Sequence, residues 1–199
     1  MSKPRVAIFD FACCEGCQLQ IVNLEEEILD LINLVDVVEW REAMSEQSSE
    51  YDIAVIEGSI TRPEDETRLK TIRSRAKVVI ALGACAAIGG VNKMKDNFDL
   101  EEVKRCVYGK DASMPHLNTA MTKAVGEVVP VDVCIPGCPI DRKEFGAVIR
   151  ALLLDKKPPI PDYPVCVECK ANENISRYEY NEIRSEERRV GKECPQLCR

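Results

Sequence analysis

Val6–Gln20, VAIFDFACCEGCQLQ, decides how the rest of the chain is read. Val6–Phe9 is a short apolar run of strand type, and it opens directly into Cys14-x-x-Cys17 with Gly16 between the two thiols. Beyond it Ile21, Leu24, Ile28, Leu31 and Ile32 recur at helical spacing, which predicts one helix over Gln18–Asn33. A strand, a thiol-lined turn and a helix in that order place the two cysteines between a strand's carboxyl end and a helix amino end. Unpaired backbone N–H groups at such a helix end favour a metal or an anionic cluster. A lone Cys-x-x-Cys fits a redox dithiol, half a zinc site or half an iron–sulfur site equally well, so the other cysteines must decide.

Composition narrows the class of protein. The chain has 199 residues, enough for one domain with a real core plus an appendage, and its eleven cysteines are too sparse for a small disulfide scaffold. Met1-Ser2-Lys3-Pro4 leads straight into a strand, and no apolar run reaches the ~20 residues of a membrane span. The expectation is a cytoplasmic, reduced chain in which clustered cysteines serve metal or catalysis. A net charge of -7 and 5% aromatic residues argue against a nucleic-acid surface.

Strand and helix signals alternate along the chain. Val35–Trp40 and Asp52–Glu57 read as strands, the second ending in Gly58-Ser59. Thr61 with Glu64 has capping-box spacing ahead of a helix running to Arg75, with Pro63 in its first turn. Lys77–Leu82 is nearly all apolar, as expected of a strand covered on both faces, and it ends in Gly83-Ala84-Cys85. Asn92–Ser113 reads as helix and loop over the sheet's edge, with nothing chemical in it. Val131–Ile135 is a last strand closed by Pro136-Gly137-Cys138-Pro139, and Asp141 with Glu144 forms a second capping box before a helix bearing Phe145, Val148, Ile149 and Leu152. The alternation predicts an α/β fold with a doubly wound parallel sheet. Pro158, Pro159, Pro161 and Pro164 make a stiff linker to a short cysteine-containing C-terminal segment. The expected division is therefore 1–157 as the main domain and 158–199 as linker and tail.

In a parallel sheet the loops after the strands' carboxyl ends gather along one edge. Cys14, Cys17, Cys85 and Cys138 each follow a predicted strand at once, so three loops bring four thiols to that edge. Four thiolates suit a [4Fe–4S] cluster, and tetrahedral zinc can use the same set. The spacing favours the cluster, because structural zinc usually sits between two Cys-x-x-Cys knuckles, whereas Cys85 and Cys138 are single ligands beside Gly83 and Gly137.

The motifs CCEGCQLQ (Cys13–Gln20), IEGSI (Ile56–Ile60), GACAAIGG (Gly83–Gly90), Tyr108-Gly109 and IPGCPID (Ile135–Asp141) together resemble the small, electron-transferring subunit of [NiFe] hydrogenases. The similarity spans about Arg5–Lys170 and points to the soluble sulfhydrogenase and methanogen branch, which is related to the cluster-bearing 20 kDa subunit of NADH:ubiquinone oxidoreductase. It implies a flavodoxin-like domain, with Cys14, Cys17, Cys85 and Cys138 holding a proximal [4Fe–4S] cluster. Glu57 and Gly58 would lie near that cluster without binding it. Hydrogen would be split at a nickel–iron centre on a separate large subunit, with this subunit passing electrons toward further carrier subunits. The stretch PVCVECKANEN (Pro164–Asn174) resembles the opening of a second cluster domain, which would make Cys166 and Cys169 ligands of a second cluster. From about Arg184 the similarity ends in a charged stretch carrying Cys194 and Cys198, with disorder the expectation there. The alternatives are a complex I-like quinone reductase subunit and a non-redox, zinc-binding partner protein. Cys13 is read as a bystander, Cys106 and Cys134 as core or near-surface thiols, and His116 as a loop residue without ligand-spaced neighbours. An apolar patch for the large subunit is expected from Phe11, Ala12, Leu19 and Ala86–Ile88.

Overall fold

Five parallel strands form one sheet in the order β2-β1-β3-β4-β5. The computed structural model describes residues 3–109 and 118–160, together with Val167 and Ala171. His116, Cys166, Cys169, Cys194 and Cys198 lie outside the described residues, as does most of the expected 158–199 tail. The strands are β1 (Arg5–Asp10), β2 (Asp36–Trp40), β3 (Ile53–Glu57), β4 (Val78–Leu82) and β5 (Val133–Ile135). The connecting helices are α1 (Gly16–Val22), α2 (Glu26–Leu34), α3 (Pro63–Arg75), α4 (Gly83–Ile88), α5 (Leu100–Tyr108) and α6 (Arg142–Leu153). Short 3-10 segments run over Gly90–Asn97 and Val125–Glu127. This is the flavodoxin-like order, with the topological switch between β1 and β3.

Alternation along the strands divides the interior into two layers. Val6 and Ile8 of β1, Ile53 and Val55 of β3, and Ile80 and Leu82 of β4 face α1, α2 and α6, where Ile21, Leu31, Phe145, Val148 and Ile149 close the core. Ala7, Ala54 and Ala81 point the other way with Phe9, Ile56 and Val79, toward Leu69 and Ile72 of α3 and Ala86 of α4. The small alanines let helices approach that side closely, and the central strands are buried on both faces. That accounts for their nearly unbroken apolar sequences.

Two sequence expectations are corrected. The helix expected over Gln18–Asn33 is two helices, α1 and α2, broken where Glu25 takes φ 56°. Leu24, 5% exposed, turns into the core at the break, and Arg142 donates to the Asn23 carbonyl at 2.8 Å, satisfying a helix-end acceptor. Ile32, placed by periodicity on the buried stripe, is exposed. Thr61 does not cap α3, because Arg62 is the residue before Pro63 and its guanidinium binds both carboxylate oxygens of Asp65 at 3.1 and 2.9 Å. Thr61 is used elsewhere: its carbonyl accepts the Ala120 N–H at 2.8 Å. Asp141 does cap α6, accepting the Glu144 N–H at 2.9 Å.

Candidate metal centre at the sheet's carboxyl edge

Three loops meet at Gly83. The loop after β1 carries Cys13 and Cys14 and leads into α1, whose first turn carries Cys17, the start of α4 carries Cys85, and the loop after β5 carries Cys138. The Ala84 N–H donates to the Gly137 carbonyl at 2.7 Å, which joins the second loop to the third. A Cβ built on Gly83 would stand 2.4 Å from Cys17 Sγ and 3.4 Å from the Gly137 oxygen, so all three loops converge where that side chain is missing. Gly83 also sits at φ +78°, which an L side chain rarely adopts. Gly137 at φ +139° makes the tight turn before Cys138, where a Cβ would lie 2.8 Å from the Pro139 oxygen and from Ile140 Cα. The Cys138–Pro139 peptide is cis.

Three of the four sulfurs, those of Cys14, Cys17 and Cys85, face glycines. A Cβ would lie 3.3 Å from Cys14 Sγ at Gly16 and 2.9 Å from Cys85 Sγ at Gly90. Cys17 is buried, Cys85 half-buried, and Cys14 and Cys138 are exposed, so the group runs from the core to the surface. The thiols also sense one another. Burial foremost, then the neighbouring Cys138 and Cys14, raises Cys85 to about 11. Burial and Glu57 push Cys17 far above its ordinary value, and the same two causes push Cys13 to about 12. As neutral thiols these groups are inert; iron or another cation would have to displace their protons. Among the described residues no three or more His, Cys, Asp or Glu side chains are drawn round one metal ion. Four thiols serving separate corners of a multi-iron cluster need no such single point of convergence. The donor set and its glycine cradle fit the cluster.

The loop after β1 is pinned from β3. Phe11 N–H donates to the Glu57 carbonyl at 2.9 Å, and Ala12 and Ser59 exchange backbone hydrogen bonds at 3.1 and 2.9 Å. Glu57, 2% exposed, accepts the N–H groups of Cys17 and Gln18 on its two carboxylate oxygens at 3.0 and 3.1 Å. Two of the free N–H groups expected at the start of α1, those of Cys17 and Gln18, are therefore taken by Glu57 and are not open to an anionic ligand. Asn92 adds a second tie, donating to the Ala12 carbonyl at 2.7 Å and to Ser59 Oγ at 2.9 Å. The Asn92–Ser113 stretch thus contributes to the site after all. Nothing in its local pattern signals this, because the contact spans 80 residues. Glu57 did leave a sequence trace: a carboxylate closing the otherwise apolar run Ile53–Ile56.

Of the other cysteines, Cys106 and Cys134 are exposed, at the surface and not in the core. Cys13 is half-buried beside the set, within the electrostatic reach of Cys85. The expected apolar patch is mixed: Leu19 and Ile88 are exposed at 54% and 47%, Ala86 is fully buried, and Phe11 lies under the Arg68 guanidinium, 4.7 Å from its ring centre.

The fold is a flavodoxin-like α/β sheet with cysteines along its carboxyl edge, and comparison with known proteins narrows the class. Residues 14–152 match the family described as NADH ubiquinone oxidoreductase, 20 Kd subunit, and the chain belongs to that family. It is 36% identical to the delta subunit of sulfhydrogenase 2 from Pyrococcus furiosus, over 85% of this chain and 70% of that one. Against a subunit of the vhu F420-non-reducing hydrogenase from Methanococcus voltae the identity is 34%, over 87% of this chain and 64% of that one. The chain thus spans about two thirds of the length of these relatives. A chain from the crystal structure of an NAD+-reducing [NiFe]-hydrogenase in the H2-reduced state superposes with a TM-score of 0.73 at 26% identity, covering 81% of this chain and 97% of that one. Among the described residues no helix is long and apolar enough to cross a membrane.

Proposed function

We propose that this chain is the electron-transfer subunit of a [NiFe] hydrogenase-type oxidoreductase, holding one [4Fe–4S] cluster on Cys14, Cys17, Cys85 and Cys138. The observation that carries this reading is the meeting of three strand-end loops at Gly83, with Cys14, Cys17 and Cys85 packed against glycines. Membership of the family and similarity to hydrogenase subunits support it. When bound, such a cluster takes up and releases one electron at a time. The chain's own part is to place four sulfurs, keep Cys17 away from water, and yield thiol protons only in exchange for metal charge. Burial of Cys17 and Cys85 makes their bare thiolates unfavourable, which ties deprotonation to loading.

The partner in this reading is a large subunit bearing the nickel–iron centre, and further carrier subunits take the electrons onward. Exposed Cys14 and Cys138 mark the side from which the cluster would be reached. A cytoplasmic setting and a division into a cluster domain over 1–157 and a tail over 158–199 belong to the same proposal, as does a second cluster using Cys166 and Cys169. A quinone-reducing role is the second reading, supported by the family's description as a subunit of NADH ubiquinone oxidoreductase.

Anaerobic reconstitution of the full chain with iron and sulfide tests the cluster, and assembly with candidate large subunits tests the role. The expected result is about four irons with matching sulfide per chain and a visible absorption that bleaches on reduction. Hydrogen-dependent bleaching should follow in the assembled complex. One zinc per chain with no inorganic sulfide would overturn the reading.

A further inference from the structure

We propose that Glu57 is the positioning residue of the metal centre, clamping the β1 loop at both of its ends so that Cys17 is held against Gly83. The inference rests on the cluster reading only in taking Cys17 as a ligand. Helix α1 begins without a cap of its own. Glu15 precedes it at φ 61° and offers no side-chain capping hydrogen bond, and a helix of seven residues gains little from its own backbone. The missing cap comes from another strand. Glu57, at the end of β3, accepts the Cys17 N–H on one carboxylate oxygen at 3.0 Å and the Gln18 N–H on the other at 3.1 Å, across separations of 40 and 39 residues.

The same residue holds the loop's beginning, since the Glu57 carbonyl accepts the Phe11 N–H at 2.9 Å. Phe11 to Gln18, with Cys13, Cys14 and Cys17 inside, is therefore bracketed by the backbone and side chain of one residue. A carboxylate with 2% exposure is costly unless satisfied, so the two N–H groups fix Glu57 as firmly as it fixes them. Glu57 stands in register with Leu82 of β4, and Leu82 directly precedes Gly83. Cys17 is thereby referenced through the sheet to the loop that carries Cys85.

The test follows alkylation of each cysteine by iodoacetamide in the full, cluster-free chain, read by peptide mass spectrometry. In Glu57→Ala, Cys17 should react about tenfold faster, the loss expected of a side-chain cap worth about 1.4 kcal/mol. Glu57→Gln keeps one acceptor and should fall between Ala and wild type, which retains a readable variant if Glu57→Ala does not fold. Exposed Cys106 should not change. Glu127→Ala, which removes the carboxylate accepting the Ala124 N–H at 2.6 Å, should leave Cys17 at its wild-type rate. After loading with iron and sulfide, iron loss to a chelator should follow the order Ala, Gln, wild type, fastest first. Equal Cys17 rates in all three chains, equal rates in Glu57→Ala and Glu57→Gln as loss of the Glu57 charge alone would give, or an equal acceleration in Glu127→Ala, would overturn the positioning role. Failure of every chain to take up iron would count against the cluster reading alone, because the alkylation rates still report the hold on Cys17.

Discussion

The two ends of the same sheet are built by different rules. At the amino ends of the strands, charged side chains tie the backbone together. Asp52 accepts the Arg5 N–H at 2.9 Å and the Lys77 ammonium at 2.8 Å, while its backbone pairs with Arg5 and Lys77. Asp132 does the same for Val79 and Arg73, both at 2.7 Å. At the carboxyl ends, Gly58, Gly83, Gly90, Gly137 and Glu15 all take positive φ, and Gln18, Glu57 and Ser59 are buried polar residues. Positive φ and buried polar side chains gather there, in and beside the loops that carry the cysteines. Departures concentrated in this way mark the end of the fold shaped for something other than stability.

The sharpest break of this contrast is Gly83→Ala. Its methyl group would meet Cys17 Sγ at 2.4 Å on a backbone at φ +78°, and the expected loss is about 3 kcal/mol or more in denaturant unfolding. Iron uptake should fall with it. Asn92→Ala is milder, removing the donor that bridges Ala12 and Ser59, and should lower stability by about 1–2 kcal/mol. Hydrogen exchange should then accelerate at Ala12 and Ser59 while the amino edge stays protected.

The amino edge supplies the smallest effect. The Lys77 ammonium first, then the Arg5 N–H, holds the Asp52 carboxyl below its ordinary 3.8. A lowered folded value means that the contribution is complete above 3.8 and is lost as the pH falls below it toward the folded value. Unfolding of Asp52→Asn against wild type should show a constant deficit of less than about 1 kcal/mol near neutral pH, vanishing in strong acid. A deficit that grew on acidification would contradict the assignment.

Much of this contrast was legible in the residues. The strands appear as apolar runs, and a parallel sheet must bring its strand-end loops together, so Cys14, Cys17, Cys85 and Cys138 could be grouped from sequence. Asp141 was legible as a cap because its partner, Glu144, is local. What stayed hidden was non-local or backbone-borne. The break at Glu25 leaves the spacing of Ile21, Leu24, Ile28 and Leu31 unchanged. Thr61 had a cap's spacing, but its carbonyl is engaged by Ala120. Glu57 and Asn92 act on groups 33 to 80 residues away, which no local pattern encodes.

Whether Cys14, Cys17, Cys85 and Cys138 form one site is read from the iron per chain after anaerobic reconstitution of Cys85→Ser, Cys138→Ser and Cys106→Ser. The first two variants should lose most of their iron and its reducible visible absorption, while Cys106→Ser keeps the full wild-type complement. Equal iron in all three variants would contradict a single site.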